Sequence, residues 1–394
     1  MATHILVECA ELIATVKVGV LQLLKPLQDQ KKCEVRFCRT TDIKKEDIIW
    51  CDVFICVRGC ERLEYSYIEL CKLLDKYILY YLDDDLLEVP ESSGCAEFYK
   101  DESIRFFLCQ CIKNSHRLIG VNTVLLDKYR ELTDVDTVLT RAPFVPDRPI
   151  GSEAQDRRIG ILYAGSTDHK KIVQELLCPV FQRLHDRFGD LINIVVIGPE
   201  VTSGTPDWGT ALPFFECYED YRRYVTENTF DIGLAPIYDT PFYHCKYYNK
   251  FLEYTSLGAV TIATDSDPYR QIMENRENGF LCGNTADEWY ETICEAICDA
   301  ALRSDCLNNA QDIVGRLFAP EMVAQQLAQE VPELITYQAP VKDPKEIHMP
   351  DARLVFYRDR LRLLWNRYRF LCVFVVPYKA VKKILKFFRR LLSD

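Results

Sequence analysis

The chain has 394 residues, 48% of them hydrophobic, which is enough for two or three domains with their own cores and too apolar for a disordered polymer. Residues 351–394 hold 12 Lys/Arg and 3 Asp/Glu, a charge of +9, within a total of −11, so residues 1–350 carry −20 and make a poor general nucleic-acid binder. The 18 cysteines include no Cys-x-x-Cys zinc spacing, and Met1-Ala2-Thr3 runs straight into a strand-like stretch without a secretory leader; the expectation is a cytoplasmic protein with reduced, mostly buried thiols.

In the first half, strand-like runs fall at Ile5–Glu8, Glu34–Phe37, Asp52–Val57, Tyr77–Leu82, Arg117–Val121 and Thr137–Thr140. Helical spacing separates several of them, clearest at Thr15–Gln28, Leu63–Asp75 and Ser103–Ile112. The alternation predicts a mostly parallel sheet covered on both faces over residues 1–145. No G-x-G-x-x-G follows the first strand, so a dinucleotide-binding half is not indicated. Asp83-Asp84-Asp85 closes the fourth strand, at the end where open parallel sheets bind ligands. These carboxylates suit sugar hydroxyls, a divalent cation, or simply a solvated turn. The period of two along a strand keeps all three from pointing one way, which argues against the metal. His116 opens the next strand, as an acceptor-side candidate or as an ordinary surface residue.

Ala142 to Ser152 is rich in proline and glycine and marks an interdomain linker, placed at 146–158. A second unit is expected over 159–335. It opens with the strand Ile159–Tyr163, the small-residue turn Ala164–Lys170 and the helix Ile172–Phe188. Such a turn between strand and helix gathers backbone N–H groups for an anion: Gly165 permits close approach, Ser166 can donate and Asp168 can cap. A plain capped turn fits the same residues. Strands at Asn193–Ile197, Leu212–Phe214 and Asp231–Pro236 follow, with a helix at Tyr218–Thr226.

The stretch Lys246–Gly258 has apolar side chains at Tyr248, Phe251, Leu252, Thr255 and Leu257, the spacing of a helix with one buried face. Lys246, Lys250 and Glu253 cluster near its start, and Lys250 and Glu253, three apart, share a face. Two cations and a carboxylate suit a ligand with a diphosphate at one end and sugar hydroxyls at the other. An ordinary surface Lys–Glu pair is the alternative. Gly258 ends the helix and a β-branched run begins at once. Beyond it, Pro268 starts a short helix to Met273, and Tyr269 either meets a base or phosphate or packs inward. The strand Phe280–Cys282 and helices at Ala286–Ala301, Ser304–Phe318 and Pro320–Glu330 complete the unit.

After the polar stretch Pro340–Pro350, residues 351–394 interleave Lys/Arg with large apolar side chains. The run Phe370–Tyr378 is too short to span a bilayer. The segment Ala380–Leu392 is basic and amphipathic, suited to an anionic membrane surface or to packing on the acidic body or a partner.

Lys250-Phe251-Leu252-Glu253, followed by Gly258-Ala259-Val260-Thr261, resembles the donor-binding segment of family-4 glycosyltransferases of the GT-B type. There, Lys-x-x-Glu, a helix and Gly-x-Pro-Val recur. Tyr163-Ala164-Gly165-Ser166-x-x-His169 is similar to that family's phosphate loop, and Tyr81-Leu82-Asp83-Asp84 with Val89-Pro90 to a run in the first domain of some relatives. Val260 stands at the usual proline. Cys245 stands where the family has an earlier glutamate, so its sugar contact has no counterpart, and Lys246 beside it fits a branch with different chemistry there. The resemblance covers roughly residues 4–320, most strongly 159–170 and 230–290.

It implies an α/β fold of two Rossmann-like domains facing across a cleft, to which the pattern of residues 351–394 adds a basic amphipathic helical C-terminal segment. The implied activity is sugar transfer from a nucleotide-diphosphate donor, with retention and with neither metal nor cofactor. Lys246, Lys250 and Glu253 would be catalytic; Gly165, Ser166, His169 and Tyr269 would bind the donor; Asp83, Asp84 and His116 would lie on the acceptor side. The expected partners are a nucleotide sugar, a lipid-linked or membrane-adjacent acceptor glycan and an anionic membrane surface at 351–394, but no nucleic acid. The location would be cytoplasmic, peripheral at the inner face of the membrane. A non-catalytic nucleotide-sugar-binding or scaffold protein and a GT-B-like sugar-nucleotide epimerase are the alternatives.

Overall fold

The computed structural model describes residues 2–145, 158–200, 206–341 and 347–368. Most of the linker, 146–157, and the basic segment from 369, including Ala380–Leu392, lie outside the described residues. The strands β1 (Thr3–Cys9), β2 (Cys33–Arg39), β3 (Val53–Val57), β4 (Tyr77–Leu82), β5 (Arg117–Gly120) and β6 (Thr137–Leu139) form one parallel sheet in the order β2-β1-β3-β4-β5-β6. The strands β7 (Ile159–Ala164), β8 (Ile192–Gly198), β9 (Gly209–Pro213), β10 (Ile232–Ala235), β11 (Val260–Thr264) and β12 (Phe280–Cys282) form a second, ordered β12-β11-β10-β7-β8-β9. Every residue of β3, β4, β10 and β11 is buried, because helices cover both faces of each sheet.

Strand order reverses at β1/β3 in the first sheet and at β7/β10 in the second, and open sheets bind ligands beyond the carboxyl ends of the strands at such points. On the first sheet the main helices are α1 (Arg62–Leu73), α2 (Glu102–Lys113) and α3 (Thr123–Thr133). On the second they are α4 (Cys178–Phe188), α5 (Tyr218–Glu227), α6 (Asn249–Leu257), α7 (Ala286–Cys298) and α8 (Ala300–Leu317). Gly258, at φ +80°, closes α6 in the left-handed conformation that frees the chain to enter β11.

After α8 the chain returns to the first sheet. Helix α9 (Pro320–Glu330) is placed by sequence in the second unit. Instead, Val323, Ala324 and Leu327 pack beside Val20, Leu23 and Leu27 of the first. The Arg117 guanidinium donates to Glu330 O at 2.8 Å and fixes the crossing. Helix α10 (Ala352–Tyr368) also lies on the first sheet's side, against α1.

The predicted helix Thr15–Gln28 is present but divided. A π-helical stretch, Lys17–Gln22, separates two α-helical pieces, and Pro26 lies inside the second. The predicted helix from Pro268 to Met273 shrinks to the 3₁₀ turn Tyr269–Gln271.

Candidate functional site

The carboxyl ends of β7 and β10 bring the predicted turn and the Lys–Glu stretch to the same switch point. After β7, Gly165 lies so close to Gly198 that a Cβ on Gly198, at φ +110°, would overlap the Gly165 carbonyl. The Gly165 N–H donates to Ile197 O at 3.0 Å, so it holds the loop against β8 instead of facing an anion. Ser166 precedes the 3₁₀ turn Thr167–His169 and makes no capping bond through its side chain. The side chain of Asp168 lies outside what is described. The His169 ring is oriented by the Tyr163 hydroxyl, 3.0 Å from Nδ1.

Helix α6 begins at Asn249, so Lys246 lies before it, after the short helix Pro241–His244. This separates the expected trio. Lys250 Nζ and Glu253 Oε2 meet at 2.6 Å, three residues apart on one helical face. The other Glu253 oxygen accepts from the Tyr221 hydroxyl of α5. Lys246 points to the other sheet, where its Nζ lies 2.9 Å from Asp84 Oδ1; the Phe242 ring of the short helix before it is 4.4 Å away.

Across the cleft, Arg58 organises the acidic turn. It follows β3 at φ +54°, an uncommon conformation for a non-glycine residue, and its N–H donates to Tyr81 O at 3.0 Å. Its guanidinium reaches Asp83 at 2.5 Å and Asp84 at 2.7 Å, and the Thr15 hydroxyl donates to Asp83 at 2.7 Å. Burial would raise the Asp84 carboxyl, but Lys246 and Arg58 together bring it below the ordinary carboxylate value. For Asp83, burial wins over Arg58 and the carboxyl is raised. Asp85 turns away: it is fully buried, 2.7 Å from Lys128 Nζ and 3.1 Å from the Tyr129 hydroxyl. Among the described residues no three His, Cys, Asp or Glu side chains gather as metal ligands.

Two candidates take structural places. His116 lies at the amino edge of the first sheet, opposite the cleft. There its Nδ1 accepts the Ile78 N–H at 2.9 Å and its ring stacks on Tyr77, 4.6 Å between centres. Burial holds it below the ordinary histidine value, which suits that acceptor role. Tyr269 is 4% exposed in the core of the second sheet, with no ring face open to a base. Burial and the Glu253 carboxylate raise its phenol.

Cys245 is 1% exposed and packs in the core of the first sheet, not the second. Burial pushes its thiol up to about 12. The same turn is held by Asn122, which caps α3 through Oδ1 and donates from Nδ2 to His244 O at 2.9 Å and Lys246 O at 2.7 Å. Sequence reasoning missed Arg58, Asn122 and Tyr221. Asn122 carried a signal, an N-cap residue directly after a strand; Arg58 carried only its place at a strand end.

No protein-family model and no curated protein matches the chain. Solved structures do. HepE of Anabaena, in complex with UDP-glucose, is 12% identical with a TM-score of 0.59, over 84% of this chain and 100% of that one. Sucrose-phosphate synthase of Thermosynechococcus elongatus is 14% identical with a TM-score of 0.58, over 84% and 99%. A glycosyltransferase of Rickettsia africae is 12% identical with a TM-score of 0.54, over 86% and 100%. At these identities the likeness is one of fold: the two sheets with their flanking helices have the GT-B arrangement.

Proposed function

We propose that the chain is a glycosyltransferase, of the family-4 type by the resemblance of its donor segment, that moves a sugar from a nucleotide-diphosphate donor to an acceptor. The observation that carries this reading is the Lys250–Glu253 pair, 2.6 Å apart at the switch point of a GT-B fold. Glu253 would accept ribose or sugar hydroxyls in place of the Tyr221 hydroxyl. Lys250 would neutralise charge growing on the leaving phosphate and the His169 ring would donate a hydrogen bond to it, a fixed polar environment that lowers the barrier without a metal. The reaction would retain anomeric configuration. A UDP-sugar is the first donor class to test, since a neighbour of the same fold is seen with UDP-glucose. We also place the acceptor at a membrane, lipid-linked or adjacent, with the protein peripheral at the inner face through residues 351–394.

The test is a thermal-shift screen of UDP-, GDP- and ADP-sugars followed by turnover on the hits, with and without EDTA. Binding with transfer or donor hydrolysis that survives EDTA supports the proposal. Loss with EDTA, restored by Mg²⁺ or Mn²⁺, would return Asp83 and Asp84 to the role of metal ligands. One observation favours a non-catalytic nucleotide-sugar-binding protein: the position of the family glutamate is the buried Cys245. Binding without turnover would establish that alternative. Conversion of the donor to an isomer would identify an epimerase.

A further inference from the structure

Helix α10 sorts its side chains into two faces that the sequence does not separate. Inward, Val355, Phe356 and Leu363 pack against the core of the first sheet, and Arg360 Nη2 reaches the buried Glu61 carboxylate at 2.8 Å. Outward, Leu354, Tyr357 and Leu361 are 64%, 63% and 53% exposed, at spacings of three and four that align them in one stripe. Exposed Arg353, Arg358 and Arg362 flank the stripe, with Arg358 at 3.7 Å from Asp359.

From this face we infer that α10 is a lipid-docking helix, its outer stripe seated among the headgroups of an anionic membrane and its inner face bolted to the first domain. Charge selects the occupant. The arginines flank exposed apolar side chains on a chain whose first 350 residues carry −20, so they are not the general surface character. The chain continues from α10 into residues 369–394, with seven Lys/Arg and one acidic residue. Like charge opposes seating that segment, or the same face of a second copy, against Arg353, Arg358 and Arg362. An anionic bilayer satisfies both the stripe and its flanks. Among the described residues no helix is long and apolar enough to cross a membrane.

The docking also sets orientation. Glu61, which holds Arg360, starts α1 three residues after Arg58, so α10 lies at the rim of the first sheet that carries Arg58, Asp83 and Asp84. Lipid contact there puts that side of the cleft next to the membrane. The docking deepens the proposed attachment through residues 351–394 and rests on that reading, whereas only the statement about the acceptor rests on sugar transfer.

The experiment compares the full-length protein with its Leu354→Glu/Leu361→Glu variant in co-sedimentation with phosphatidylcholine vesicles, with and without phosphatidylglycerol. The basic segment is present in both, so the difference reports α10 alone. The expected result is roughly tenfold weaker binding to the anionic vesicles for the variant. Little binding of either protein to phosphatidylcholine alone is expected too. Arg353→Gln/Arg358→Gln/Arg362→Gln keeps the stripe and serves if the first variant fails to fold; its binding should weaken and depend less steeply on salt than that of the wild type. As a second readout, Trp365, 51% exposed on the same helix, should be quenched by brominated lipid in the wild type, a signal that Trp365→Phe abolishes. Binding unchanged within about twofold in these variants would overturn the docking. So would equal binding to neutral vesicles, or an effect confined to oligomeric state. Nucleotide-sugar binding is measured separately and its failure leaves this result untouched.

Discussion

Lys246 and Asp84 join the two sheets: the ammonium of the turn before α6 lies 2.9 Å from a carboxylate that closes β4. Arg58 holds the same carboxylate from behind at 2.7 Å, and Asn122 holds the backbone of the Lys246 turn. The cleft is therefore bridged at the carboxyl ends of both sheets, where the proposed transfer would take place.

If that bridge aligns the two sides for transfer, Lys246→Met and Asp84→Asn each lower turnover about tenfold, and the double variant is little worse than either single one. Stability changes by only about 1 kcal/mol, because both side chains remain partly solvated. A double-mutant cycle on kcat and on thermal midpoint checks this. Fully additive effects on turnover would separate the two residues.

Glu253→Gln removes the charge that Lys250 and the Tyr221 hydroxyl share. Donor turnover is expected to fall tenfold or more, with the thermal midpoint within a few degrees of wild type. Wild-type turnover in the variant would remove Glu253 from the site.

A glutamate at position 245, as in the family that the segment resembles, is not expected to recreate that family's sugar contact. Cys245→Glu places a carboxylate among the core side chains of the first sheet and near Asp85. The expected outcome is a loss of about 3 kcal/mol or more in denaturant unfolding, with no gain in turnover. Higher turnover in a stable Cys245→Glu variant would contradict the core placement.

Glu8, fully buried at the end of β1, has a carboxyl raised from 4.5 to about 7 by burial, against the pull of Thr40 and Cys56 and with the help of Glu61. Below the unfolded value both states hold the proton and nothing is lost. As pH rises from the unfolded value towards the folded one, the unfolded chain has released a proton that the fold retains; stability falls by an amount of order 1–3 kcal/mol, and the loss is complete once pH has passed the folded value. Glu8→Gln should therefore gain stability over wild type at pH 8 relative to pH 5, followed by thermal unfolding at both. An equal difference at the two pH values would dismiss Glu8 as the titrating group.

Local pattern reached much of this. The buried strands read as continuous apolar runs because both faces are covered, and the Lys250–Glu253 pair followed from helical spacing. Lys246 did not: its charge suggested a place with Lys250, while the turn before α6 sends it across the cleft. His116 and Tyr269 were ambiguous because sequence does not say which end of a strand, or which side of a turn, meets the ligand. Arg58 depends on a positive φ and on partners 25 and 26 residues away, and α9 on a contact with the far end of the chain.

The return of α9 makes the molecule a two-stranded splice. The chain passes between the sheets once through 146–157 and again after Phe318, where Phe144 N–H donates to Phe318 O at 2.8 Å. A single proteolytic nick between 145 and 158 would leave the pieces associated, because the C-terminal fragment carries its own plug for the N-terminal one. Conversely, residues 1–145 produced alone would bare the apolar trough of Val20, Leu23 and Leu27, and adding residues 320–341 in trans should fill it.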